Sequence, residues 1–143
     1  MTATSNSKID LRECLVADHM RHGIVSCAPD TPLSEVAKLM GDHRIHCVVV
    51  GDVEETRGAT RLVWGVVSDL DLARAAAADA EATAGQIAAT EPVAASPSDS
   101  LDDVAHSMGE HDIAHLVVVD ERAEPIGVIS TLDVARALAG AAG

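Results

Sequence analysis

One stretch of the chain is written twice, and each copy closes on Gly-x-x-Ser-x-x-Asp: Gly65-Val66-Val67-Ser68-Asp69-Leu70-Asp71 and Gly127-Val128-Ile129-Ser130-Thr131-Leu132-Asp133. Aligning Val25–Gly51 with Val93–Val119 gives 11 identities in 27 pairs, among them Pro29/Pro97, Leu33/Leu101, Met40/Met108, His43/His111 and Ile45/Ile113. Aligning Trp64–Ala75 with Ile126–Ala137 gives 8 in 12, so the first copy carries six additional residues between the two blocks. A duplication of this period dictates the architecture before any local propensity does. Each copy, of about 50 residues, buries too little surface to be stable alone, so the two must share one small body.

Within each copy the hydrophobic period alternates between strand and helix. Ile24–Cys27 and Val93–Ala95 read as short strands, each followed by a proline turn at Pro29 or Pro97. Helices then follow, with Thr31 and Asp99 as expected N-caps, Pro32 at the first helical position, and apolar stripes at Leu33, Val36, Ala37, Met40 and Leu101, Val104, Ala105, Met108. Gly41 and Gly109 fall near the helix ends. Cys47–Val50 and Leu116–Val119 are continuous apolar runs of the kind found in strands buried on both faces. A polar turn leads to Leu62–Val67 or Ile126–Ile129, which run into helices beginning at Ser68 and Ser130. The longer turn of the first copy, Asp52–Arg61, reads as an exposed hairpin extension. Leu11–Met20 and Gln86–Ala89 read as short helices introducing the copies, with residues 80–85 as the connection. The expectation is a mixed α/β (α+β) fold: a flexible tail over 1–10, then β-α-β-β-α repeats over 11–80 and 81–143, packed sheet to sheet with pseudo-two-fold symmetry.

Composition narrows the function. The net charge of −13 repels nucleic acid and anionic lipid, which are held by clustered Lys and Arg. No apolar run approaches a membrane span, and the first residues lack the basic-then-apolar pattern of a leader, which points to the cytoplasm. Cys14, Cys27 and Cys47 are odd in number and without a CxxC pair, so neither a disulfide framework nor a zinc knuckle is expected. The pairs His19/His22, His43/His46 and His111/His115 have helical spacing but no acidic or Cys partner at a supporting interval, a weak case for a metal. There is no nucleophile elbow and no Gly-x-x-x-x-Gly-Lys loop, so no enzyme activity is expected.

The element order, the apolar strand after His43-Arg44-Ile45-His46 or His111-Asp112-Ile113-Ala114-His115, and the repeated Gly-x-x-Ser-x-x-Asp together resemble a tandem pair of CBS (cystathionine-β-synthase) domains, a Bateman module. The resemblance covers about Val16 to Gly140. It implies a regulatory module that holds an adenosine-containing ligand (AMP, ADP, ATP or S-adenosylmethionine) in the cleft between repeats. Ser68 and Ser130 would contact phosphate, and Asp71 and Asp133 would accept from ribose hydroxyls. His46 stands where the γ subunits of AMP-activated protein kinase have a phosphate-contacting His, and the second copy has Ala114 there. The sites are therefore expected to be unequal, with the one lined by His46 the better phosphate binder. The resemblance further implies a homodimer acting on an unknown regulated protein, with an adenine nucleotide as a possible ligand and no other cofactor. Two departures stand out: family members often carry Pro at the places of Val49 and Val117, and Arg or Lys between the Ser and the Asp. Here those intervening residues are Asp69-Leu70 and Thr131-Leu132, leaving Arg74 and Arg136, one turn on, as nearby cations.

Elementary chemistry agrees with the ligand roles. A Ser at a helix N-cap presents its hydroxyl beside unpaired N–H groups and the positive end of the helix dipole. A carboxylate one turn later is purely an acceptor and suits a diol. Ser-x-x-Asp is equally a capping pattern. A ligand-independent interaction scaffold of the same fold is thus the alternative.

Overall fold

The computed structural model describes residues 9–54, 62–79, 81–89 and 93–140. Most of the expected tail (1–8), the tip of the first-copy extension (55–61) and Ala80 of the connection lie outside the described residues.

The mixed α/β class holds, as does the strand-helix-strand-strand-helix order in both copies. After a 3-10 turn at Leu11–Glu13 come α1 (Val16–His19), β1 (Arg21–His22), β2 (Ser26–Cys27), α2 (Leu33–His43), β3 (Cys47–Glu54), β4 (Leu62–Ser68) and α3 (Asp69–Ala77). The second half runs α4 (Ala84–Ile87), β5 (Ala94–Ala95), α5 (Leu101–His111), β6 (His115–Val119), β7 (Pro125–Ser130) and α6 (Thr131–Leu138). One sheet has the order β2-β3-β4 and the other β1-β7-β6-β5. In each, a short parallel strand joins the buried central strand, which then pairs antiparallel with the strand that feeds the last helix.

The chain forms two compact units, Ile24–Pro92 and Met1–Gly23 with Val93–Gly143. These differ from the sequence copies in one respect: the segment introducing each copy packs in the unit of the other. In one unit Val16 N–H donates to Asp99 O (2.9 Å) and Ala17 N–H to Pro97 O (3.0 Å), while Leu101 N–H donates to Cys14 O (2.8 Å). In the other, at positions shifted by 68, Ala84 N–H donates to Thr31 O and Gly85 N–H to Pro29 O, both at 2.8 Å. The exchange is reciprocal. It also brings each leading segment onto the edge of the strand that carries the motif glycine: β1 pairs with β7 through Arg21↔Val128 and His22↔Gly127, and Ala89 bridges Val66.

The motif glycines follow from that approach. A Cβ on Gly65 would lie 2.9 Å from Ala89 O and 3.0 Å from Ala88 Cβ, and one on Gly127 would collide with Arg21 O and the Met20 methyl. Only a residue without a Cβ lets the crossing segment come this close.

The cores are aliphatic. Val36, Met40, Val48, Val50, Val67 and Ala84 fill the unit of the first copy. Val16, Met20, Leu101, Val104, Met108, Leu116, Val118 and Ile129 belong to the core of the second. The apolar stripes read from sequence thus face inward at Val36, Met40, Leu101, Val104 and Met108.

Two expected caps shift by one residue. Pro32 itself is the N-cap of α2 and offers no side-chain bond. Ser100, not Asp99, caps α5 by accepting from Asp103 N–H at 3.1 Å. Asp99 Oδ2 instead accepts from Ser96 N–H (2.9 Å) inside the preceding turn. The left-handed residues that close α2 and α5 are Arg44 (φ 54°) and Asp112 (φ 53°). Gly41 and Gly109 lie within the helices, two residues before their ends.

Candidate functional site

The two motifs occupy matched places, each at the junction where an antiparallel strand becomes a helix. Register fixes the neighbours: Cys47 opposes Ser68 and His115 opposes Ser130 at the starts of β3 and β6. One further backbone bond locks each junction, Asp69 N–H to His46 O (2.8 Å) in the first copy and Thr131 N–H to Ala114 O (2.9 Å) in the second.

Ser68 and Ser130 are N-caps, extended at φ −92° and −122°, and both make complete capping boxes. Asp71 N–H donates to Ser68 Oγ (3.1 Å) and Ser68 N–H to Asp71 Oδ2 (3.0 Å). In the second copy Asp133 N–H donates to Ser130 Oγ (3.3 Å), and Asp133 Oδ2 accepts from both Ser130 N–H (2.8 Å) and the Ser130 hydroxyl (3.0 Å). All four side chains thus take part in capping. It engages one carboxylate oxygen, Oδ2, in each box, and a carboxylate has acceptor capacity on both oxygens. A cap and a contact with a vicinal diol are compatible.

His46 is brought to the first junction, and it has a partner that sequence reasoning missed: its Nδ1 lies 2.9 Å from Asp69 Oδ2. Both side chains are more than half exposed, so the pair rims the junction instead of being buried within it. The signal was present in the sequence, since Asp69 directly follows Ser68, but nothing local reveals that the loop before β3 reaches the start of α3. His115, opposite Ser130, was likewise identifiable only from strand register. Arg74 and Arg136 stand on exposed faces one turn beyond the carboxylates.

Cys27 and Cys47 are poor nucleophiles. Burial, with the Asp69 charge adding to it, pushes the Cys47 thiol up to about 11, and burial also raises that of Cys27. A thiol of this kind stays protonated near neutrality. Among the described residues no group of three or more His, Cys, Asp and Glu side chains is placed to hold a metal ion. His111 Nδ1 bonds the carbonyl of Ser107 (2.9 Å) and His22 Nε2 that of Ala17 (3.1 Å), so these rings serve their own helices and turns. No helix among the described residues is long and apolar enough to cross a membrane.

Comparison with known proteins bears on the same residues. The sequence model of the CBS domain matches residues 16–78 and again 84–140. A CBS domain-containing protein of Bacillus subtilis, YhcV, is 28% identical over 123 residues, covering 84% of this chain and 82% of its own length. A homoserine O-acetyltransferase of Methanosalsum zhilinae is 27% identical over 85% of this chain, which spans only 23% of that enzyme. Among solved structures, the CBS domain pair of protein MJ0100 in complex with 5′-methylthioadenosine and S-adenosyl-L-methionine superposes with a TM-score of 0.75 at 25% identity, covering 88% of this chain and 96% of that one. The CBS domain protein PAE2072 of Pyrobaculum aerophilum, complexed with AMP, gives 0.70 at 28% identity over 89% and 99%.

Proposed function

Since the chain belongs to the CBS domain family and carries two copies of the domain, we propose that it is a non-enzymatic regulatory module whose Ser68/Asp71 and Ser130/Asp133 junctions bind an adenosine-containing ligand. The observation that carries the reading is the paired N-cap geometry: at each junction a hydroxyl stands at a helix start and a carboxylate one turn on keeps an oxygen outside its cap. The hydroxyl and the positive end of the helix dipole suit a phosphate or another polar 5′ substituent, and the carboxylate suits the ribose diol. AMP, ADP, ATP and S-adenosylmethionine all carry both features. The acetyl-transfer activity of the longer relatives is not carried over, because this chain matches less than a quarter of their length.

In this reading the chain works as a homodimer, burying helix-start leucines such as Leu70 and Leu132, each more than half exposed in the single chain. Bound ligand would bias the arrangement of the repeats and so a surface read by another protein.

The complete capping boxes support one rival, a ligand-independent scaffold in which Ser and Asp serve only the helices. Equilibrium binding of AMP, ADP, ATP and S-adenosylmethionine to the wild type, Asp71→Ala and Asp133→Ala separates the two. The proposal expects saturable binding of at least one ligand, weakened about 10- to 100-fold by loss of a charge-assisted hydrogen bond. Absence of saturable binding by all four would leave the scaffold.

A further inference from the structure

The two junctions share a backbone and differ in charge. The residue following the motif serine is held identically, by its N–H on the carbonyl of His46 or Ala114. In the first copy that residue is Asp69, its carboxylate tied to His46 Nδ1 at 2.9 Å, and in the second it is Thr131, which has a hydroxyl and no charge. We infer that Asp69 is a charge-selectivity residue: the first-copy site disfavours a phosphate and prefers an adenosine ligand with a neutral or cationic 5′ substituent, a restriction the second-copy site lacks. This rests on the adenosine-ligand reading above.

The physical basis is occupancy of the anion position. The start of a helix offers roughly half a positive charge, spent within the first turn. In α3 it is already matched by Asp69 and Asp71, whereas the start of α6 has Asp133 alone. The Asp69 field is felt at the neighbouring strand, where it adds to burial in raising the Cys47 thiol. His46, the residue expected from sequence to favour phosphate here, has its Nδ1 directed to Asp69. Arg44 and Asp112, at the matched left-handed positions, carry the opposite pattern of charge. They stand two residues before His46 and Ala114, exposed to solvent, whereas Asp69 adjoins the serine directly. A phosphomonoester dianion about 5 Å from an exposed carboxylate is disfavoured on the order of tenfold in water-like surroundings, and less as salt rises.

The test is calorimetric titration of the full chain, wild type, Asp69→Thr, Asp69→Asn and Thr131→Asp, with AMP and with 5′-methylthioadenosine. Asp69→Thr installs the second copy's own residue, and Asp69→Asn keeps an acceptor for His46 without the charge. Both should strengthen AMP binding at one site about tenfold while 5′-methylthioadenosine stays within about twofold, and Thr131→Asp should weaken AMP by a similar factor at the other site. The AMP effect should shrink in high salt. Equal changes for the two ligands, or no change for AMP, would overturn the inference while leaving the adenosine reading intact. Binding of neither ligand to any of the four proteins would overturn both.

Discussion

The chain offers the same substitution, Gly to Ala, in two environments that should give opposite signs. At Gly127 a Cβ would meet Arg21 O and the Met20 methyl, and Met20 is a core residue only 6% exposed, so relief must come from moving β1 or from disturbing the core. Overpacking of this kind costs about 1–3 kcal/mol. At Gly109, inside α5 and exposed, a Cβ meets nothing within 4 Å. There Ala gains about 0.5–1 kcal/mol by reducing the freedom of the unfolded chain and favouring the helix. With an unfolding entropy of about 2.1 cal/mol/K per residue, a chain of this length shifts its melting temperature by roughly 3 °C per kcal/mol. Gly127→Ala should therefore melt about 3–10 °C below the wild type, and Gly109→Ala about 1–3 °C above it. Gly65→Ala, against Ala89 O at 2.9 Å, should follow Gly127→Ala, and Gly41→Ala should follow Gly109→Ala. Thermal and urea unfolding at one fixed protein concentration measures this, since self-association would otherwise move the midpoint. Gly127→Ala melting within a degree of the wild type would refute the close approach of the leading segment. A lower melting point for Gly109→Ala would refute the claim that the helix glycine has no packing role.

Two further outcomes are expected. Cys47 has a folded-state thiol raised from the ordinary 9.0 to about 11, so its contribution to stability is fully present below pH 9 and is lost as pH rises through about 11. The unfolding free energy from urea titrations should fall over that window, by up to roughly 2 kcal/mol, and Cys47→Val should flatten the profile; an unchanged slope in the variant would place the alkaline loss elsewhere. Ser100→Ala removes the acceptor for Asp103 N–H and should cost about 1 kcal/mol, readable as reduced urea stability; a neutral result would show that α5 does not depend on its cap.

What could be read directly from the sequence is whatever depends on residues close along the chain. The capping boxes of Ser68 with Asp71 and Ser130 with Asp133 span three residues, so a helix start was visible at both motifs, and the duplication supplied the element order twice over. The stripes at Val36, Met40, Leu101, Val104 and Met108 were equally legible, because helical periodicity alone turns them to one face. The caps of α2 and α5 fall one residue past Thr31 and Asp99: Asp99-Ser100 offers two capping side chains in a row, and α2 starts after Pro32 with no side-chain cap at all, so only the backbone path selects the position.

Tertiary structure decided the rest. The reciprocal exchange of leading segments leaves no local signal, since Val16 and Ala84 bond to residues more than 50 positions away. That exchange gives Gly65 and Gly127 their purpose: the motif glycine is the point where another segment crosses too closely for a Cβ. The same dependence on distant contacts governs the candidate site. Sequence marks His46 and Asp69 as separate residues 23 apart, and only the strand that closes back on the helix start joins them within 2.9 Å and makes the two junctions, alike in motif, chemically different.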